Sequence, residues 1–187
     1  MSYYDPYPAF YLERPKVLVG PIGGGIALTA ASASAMLGLP LIDIDRLVEH
    51  EFGADFRDVV REHGWRKWRN VEFQMLKRSM GQRPAGIIAL GEGALEDERV
   101  RELVIEEAEG WYLARNVFDV FGRLQTVWET HYQRYPLFPE LPTMQELQTL
   151  ISQRTENYRK MPHAEDVSGL HPHVVARKLV SDWGLSV

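Results

Sequence analysis

Apolar and polar positions follow two rhythms along the chain. Residues 16–20 (KVLVG) form a short, β-branched apolar run that ends on glycine, which predicts a buried strand. Residues 26–37 are rich in Ala, Leu and Ser and suit a helix lying close on a sheet. Residues 40–45 (PLIDID) read as a second strand ending in acids. Helical spacing covers 46–63 and 65–80, with Gly53 and Gly64 as punctuation. A third buried strand is predicted at 86–90 (GIIAL), a helix at about 96–108 and a strand at 111–114. Helices follow at 117–132, 143–159 and 171–183, with a short last strand near 166–168. Strands alternating with helices predict a three-layer α/β/α domain over residues 16–187, built on a central, mostly parallel five-stranded sheet.

Two segments break the rhythm. Residues 1–15 alternate Tyr3, Tyr4, Tyr7, Phe10 and Tyr11 with Pro6, Pro8 and Pro15, and proline at that density disfavours helix. They read as an arm that packs its aromatics on the domain, or as a docking segment for a partner or a second copy. Residues 135–142 are proline-rich and read as a mobile loop.

Composition narrows the chemistry. The 26 acidic and 21 basic residues give a net charge of −5, with no general pull toward nucleic acid or anionic membranes. There is no cysteine, which excludes disulfides, thiolate catalysis and Cys-based zinc sites. No apolar run approaches the roughly 18 residues a membrane span needs. The N-terminus lacks the basic and apolar regions of a secretory signal. A cytoplasmic location is the expectation. His163, His171 and His173 cluster near the C-terminus, but no second acidic or histidine pair has fitting spacing and the segment precedes a helix, so a metal site is not expected.

The sharpest local signal is Gly20-Pro21-Ile22-Gly23-Gly24-Gly25-Ile26-Ala27, between the first strand and a helix. This is where a P-loop stands, with the pattern G-x-x-x-x-G-K-[ST]. Gly20 and Gly25 hold their positions, but Ile26 stands at the lysine and Ala27 at the hydroxyl. Thr29 is two residues too late, on another side of the helix. Backbone N–H groups and the helix N-terminus can still attract an anion. The point charge and the metal ligand are gone. The glycines also suit a tight turn with close helix packing and no ligand.

A second constellation lies downstream: Asp43-Ile44-Asp45 after strand two, Trp68-Arg69-Asn70-Val71-Glu72 on a helix, Gly91-Glu92-Gly93 after strand three, and Arg154-Thr155-Glu156-Asn157-Tyr158 before the last strand. In spacing and chain length, over about residues 16–185, the sequence resembles the shikimate kinases. That family carries acid-x-acid, aromatic-Arg-x-x-Glu, Gly-Gly-Gly and Arg-x-Pro-x-Tyr at these places. Here Glu92 replaces the middle glycine, and the proline is missing.

The resemblance implies roles residue by residue. Asp45 would take a substrate hydroxyl and stand near the proton in flight, and Asp43 would belong to the Mg²⁺ surroundings. Arg69 and Arg154 would grip a carboxylate, as a guanidinium fork does. Gly91 and Gly93 would let the backbone approach the substrate. Gly20, Gly23 and Gly25 would line the nucleotide side, Arg123 would stack on adenine, and Arg134 would stand close to the place of the lid arginine. Local readings compete with these. Arg69 and Glu72 also form an ordinary helical ion pair, Asp43 and Asp45 also suit helix caps, and Trp65, Trp68 and Phe73 read as core.

Broken nucleotide positions beside a fuller acceptor side imply a pseudoenzyme that binds shikimate or a similar carboxylated polyol in a regulatory or scaffolding role. It would need neither ATP nor Mg²⁺. The alternatives are an active kinase whose missing charge comes from Lys16, Lys67 or Arg134, and a purely structural interaction module docking through residues 1–15.

Overall fold

The computed structural model describes residues 10–131, 135 and 137–185. The strands are β1 (Lys16–Val19), β2 (Leu41–Asp43), β3 (Ile87–Ala89), β4 (Glu109–Ala114) and β5 (His163–Asp166). They form one sheet in the order β2-β3-β1-β4-β5, and every pairing is parallel. The helices are α1 (Ile26–Leu37), α2 (Ile44–Phe52), α3 (Phe56–Met80), α4 (Glu98–Glu107), α5 (Val117–His131), α6 (Met144–Tyr158) and α7 (Pro172–Asp182).

Strand alternation decides the layers. Val17 and Val19 point into one core with Ile44, Val48, Phe56, Trp68, Leu76 and Val104, which brings α2, α3 and α4 onto that face. Leu18 points the other way, onto Ala30, Ala33 and Leu37 of α1 and Val175, Ala176 and Leu179 of α7. The small residues of α1 let it lie close to the sheet. A third, smaller core joins Ile22 of the glycine loop to Val120 and Leu124 of α5 and Leu147 and Ile151 of α6. The glycine loop is thereby tied to the α5–α6 pair. From the N-terminal segment, Leu12 is buried in the second core and Phe10 packs against it, while Tyr11 is exposed.

Three sequence expectations need correction. The strand expected over 40–45 stops at Asp43, whose carboxylate accepts from the Arg46 backbone N–H at 3.3 Å and caps α2. Asp45 therefore lies in the first turn of a helix, not at a strand end. The helix expected over 46–63 ends at Phe52, and α3 then runs from Phe56 to Met80 through a non-helical Gly64 at φ 77°. The last strand is His163–Asp166, upstream of 166–168.

Candidate functional site

A cavity of about 480 Å³ opens beside the carboxyl ends of β1, β2 and β3, within the roughly 300–1,000 Å³ of small-molecule sites. One wall is the glycine loop. Gly25, at φ 76°, is the N-cap of α1 and brings no side-chain cap. Ile26 folds back over the loop: a Cβ on Gly20 would stand 2.7 Å from its Cδ1. The Thr29 hydroxyl donates to the Gly25 carbonyl at 3.0 Å and is fully buried, so it is turned into the helix. Ile26, Ala27, Leu28, Ala31 and Leu41 make this wall apolar.

Two arginines hold the loop, Arg123 from the cavity and Arg115 from behind it. Arg123 donates from Nε to the Gly23 carbonyl at 3.0 Å, and its guanidinium fills the space a Cβ on Gly25 would need. Burial, and then the neighbouring Arg115, lower its pKa. Arg115, only 4% exposed, donates to the carbonyls of Gly24 (2.8 Å), Val167 (2.9 Å) and Leu170 (3.0 Å) and pairs with Asp119 at 2.5 Å.

The opposite side is charged and closely knit. Asp43, Asp45, Gly91 and Glu92 all line the cavity. A Cβ on Gly91 would collide with Asp45 Oδ1 and lie 2.9 Å from Glu72 Oε1, so only glycine lets these carboxylates come so near. Arg69 Nη1 donates to both Glu72 oxygens, at 2.9 and 2.8 Å, and Nη2 to the Glu92 carbonyl at 3.1 Å. Its guanidinium also lies over the Trp65 ring, 5.1 Å from the centroid. Burial pushes the fully enclosed Glu72 carboxyl upward, and the Arg69 fork opposes that. Arg154 pairs with the Glu92 carboxylate and donates from Nε to Glu96 at 2.7 Å. Burial alone would depress the Arg154 pKa, but the anionic Glu92, then Tyr158 and Glu96, raise it. A Cβ on Gly93 would stand 2.6 Å from Arg154 Nη2 and 2.8 Å from Arg69 Nη2. The two guanidiniums therefore converge on the Gly91–Gly93 turn.

The fold thus brings together Asp45, Arg69, Gly91, Gly93 and Arg154 on one side, and Gly20, Gly23, Gly25 and Arg123 on the other. Asp43 stands between them, with its carboxylate engaged as a cap. Arg134 lies outside the described residues. Lys16 is remote: it pairs with Glu109 at 2.5 Å and lies over Trp183. Lys67 is exposed on α3. Neither lines the cavity; among the described residues Arg115 and Arg123 donate to the loop carbonyls, and Arg46 and Arg123 line the cavity. Trp68 is core, stacked on Phe56 with centroids 3.7 Å apart, and Trp65 and Phe73 pack against that core, Trp65 also carrying Arg69. Arg115 escaped the sequence reading, although its place directly after β4 was a usable signal. Among the described residues, no group of three or more His, Asp or Glu side chains is arranged to hold a metal, and no helix is long and apolar enough to cross a membrane.

An all-parallel sheet in this order, with a glycine loop between β1 and α1, defines the class of P-loop small-molecule kinase folds. The family model for shikimate kinase matches residues 23–183, and the chain belongs to that family. Solved structures agree on the fold. The shikimate kinase from Acinetobacter baumannii, in complex with shikimate, is 23% identical with a TM-score of 0.83, covering 94% of this chain and 95% of that one. The enzyme from Bacteroides thetaiotaomicron is 18% identical, TM-score 0.75, covering 92% and 99%. The enzyme from Aquifex aeolicus is 17% identical, TM-score 0.71, covering 91% and 96%.

Proposed function

We propose that this chain is a pseudoenzyme of the shikimate kinase family, which binds a small carboxylated polyol such as shikimate and does not transfer phosphate efficiently. One observation carries the reading. The loop positions that would supply a cation and a metal-binding hydroxyl are Ile26 and Ala27, and Ile26 packs over Gly20. This donor set does not fit Mg-ATP. An apolar wall stands where phosphate charge would need compensation, Asp43 is used as a cap, and Thr29 is turned away. Losing one preorganised electrostatic partner costs roughly 2.7–4 kcal/mol of barrier. The acid–arginine cluster opposite stays assembled, and the A. baumannii relative is seen in complex with shikimate, which supports a ligand of that class. A bound state of this kind suits a regulatory or scaffolding role.

A second reading, an active kinase with an atypical loop, is favoured by Arg123 lying against Gly25. Calorimetry with shikimate and, separately, Mg-ATP distinguishes the two, with a coupled turnover assay alongside. The pseudoenzyme reading expects heat with shikimate, none with Mg-ATP and no turnover. Saturable Mg-ATP binding with turnover that collapses in Arg123→Ala would replace it by the second.

A further inference from the structure

We infer that Glu92 is a built-in ligand of the arginine fork. It occupies the carboxylate seat at rest and sets which ligands the site accepts. The inference rests on the reading that the site takes a carboxylated ligand.

The geometry is specific to this residue. Glu92 engages both guanidiniums at once: its side chain pairs with Arg154, and its carbonyl accepts from Arg69 Nη2 at 3.1 Å. An incoming carboxylate would need these same two groups. Glu92 lines the cavity, whereas Arg69 and Arg154 do not, so the glutamate stands between the open space and the fork. The Glu92 side chain is only 11% exposed. Its Oε1 is buried and has no hydrogen-bond partner among the described residues, which is a poor resting place for half a carboxylate.

Charge supports the same conclusion. The two guanidiniums already face three carboxylates, those of Glu72, Glu92 and Glu96. A further carboxylate would enter a cluster that is negative in sum. With Glu92 displaced or removed, two cations face two anions, and a ligand carboxylate can take the vacated place. A tethered carboxylate competes at an effective concentration of about millimolar or more, so a free acid must exceed that or find Glu92 swung away. Ligand binding would then be coupled to the movement of one side chain, and only acids whose remaining groups reach Asp45 and Gly91 would repay the displacement.

The test is calorimetric titration of shikimate and of benzoate into the wild-type protein, Glu92→Gly, Glu92→Gln and Arg154→Ala, with folding verified by circular dichroism. Glu92→Gln keeps the bulk and removes the charge, which covers a folding failure of the glycine variant. If the competent state is about a tenth populated at rest, Glu92→Gly binds shikimate about 10-fold tighter than wild type. Glu92→Gln lies between, and Arg154→Ala binds nothing. Equal affinity in wild type and both Glu92 variants overturns the inference and leaves the shikimate reading standing. Benzoate binding to the Glu92 variants alone, with no shikimate binding anywhere, upholds the seat and ends the shikimate reading. No carboxylate binding to either Glu92 variant overturns the inference.

Discussion

Arg154 is 4% exposed and holds two glutamates, one of them nearly buried. Removing one partner of such a pair leaves an uncompensated buried charge, which costs about 3–5 kcal/mol. Arg154→Ala is therefore expected to lower the unfolding free energy by about that much in urea titration. Arg154→Leu combined with Glu92→Gln should lose distinctly less, because the one carboxylate left unpaired, that of Glu96, is half exposed and water can solvate it. Equal losses in the single and double variants would show that the pairing does not set the cost. Arg69 and Glu72 were legible as a local pair, since three residues on a helix bring side chains together. The Arg154–Glu92 pair spans 62 positions, so residue-scale reasoning had no access to it. The glutamate at position 92 was visible as a departure from the family's glycines. That it would turn onto the arginine and fill the fork was not, because the direction of a side chain is settled by the tertiary packing around it.

The same division holds for the elements. β1, β3 and β4 were legible because their apolar runs are buried on both faces. β5 was misplaced because HAED carries no apolar rhythm: it is an edge strand, largely exposed. PLIDID read as a longer strand because alternation continues through Ile44. The competing signal, an N-cap aspartate at position 43, won. Caps also give a pH prediction. In the capping box of α6, Thr143 Oγ1 accepts from the Glu146 N–H, and Glu146 Oε2 accepts from the Thr143 N–H at 2.7 Å. The Thr143 hydroxyl also donates to Glu146 Oε2 at 2.7 Å, and this bond first, then the one from the Thr143 N–H, holds the Glu146 pKa below its usual value. A depressed folded pKa contributes stability above the unfolded value and loses it as pH falls through the folded one. Thr143→Ala is expected to cost about 1 kcal/mol near neutral pH. The gap between variant and wild type should narrow as the pH drops below the ordinary glutamate range. Urea midpoints at several pH values would check both. A gap constant down to acid pH would mean that Glu146 is not coupled to the cap.

On the scale of the whole molecule, the parallel sheet and both helical layers followed from alternating periodicities, while the anchoring of the glycine loop did not. The loop is held from three directions: by the third core through Ile22, by Arg123 and by Arg115. Arg115 does the most, because one buried guanidinium joins Gly24 to the Val167–Leu170 segment after β5 and to Asp119 on α5. Replacing it by methionine keeps much of the volume but leaves the Gly24 and Leu170 carbonyls and the Asp119 carboxylate without their donor, while the Val167 carbonyl keeps the Leu170 N–H. Buried polar groups stranded in this way cost about 1–3 kcal/mol each when water cannot reach them. Arg115→Met is accordingly expected to lose at least about 3 kcal/mol. Amide exchange should accelerate first around residues 22–27 and 167–171. Asp119→Asn removes only the charge partner and keeps the three carbonyl bonds, so it should cost about 1 kcal/mol and leave those amides protected. If both variants lost the same stability, the clamp would be an ion pair with incidental backbone contacts. If Arg115→Met alone released the loop, the glycine-loop wall of the cavity would depend on one residue that does not line it.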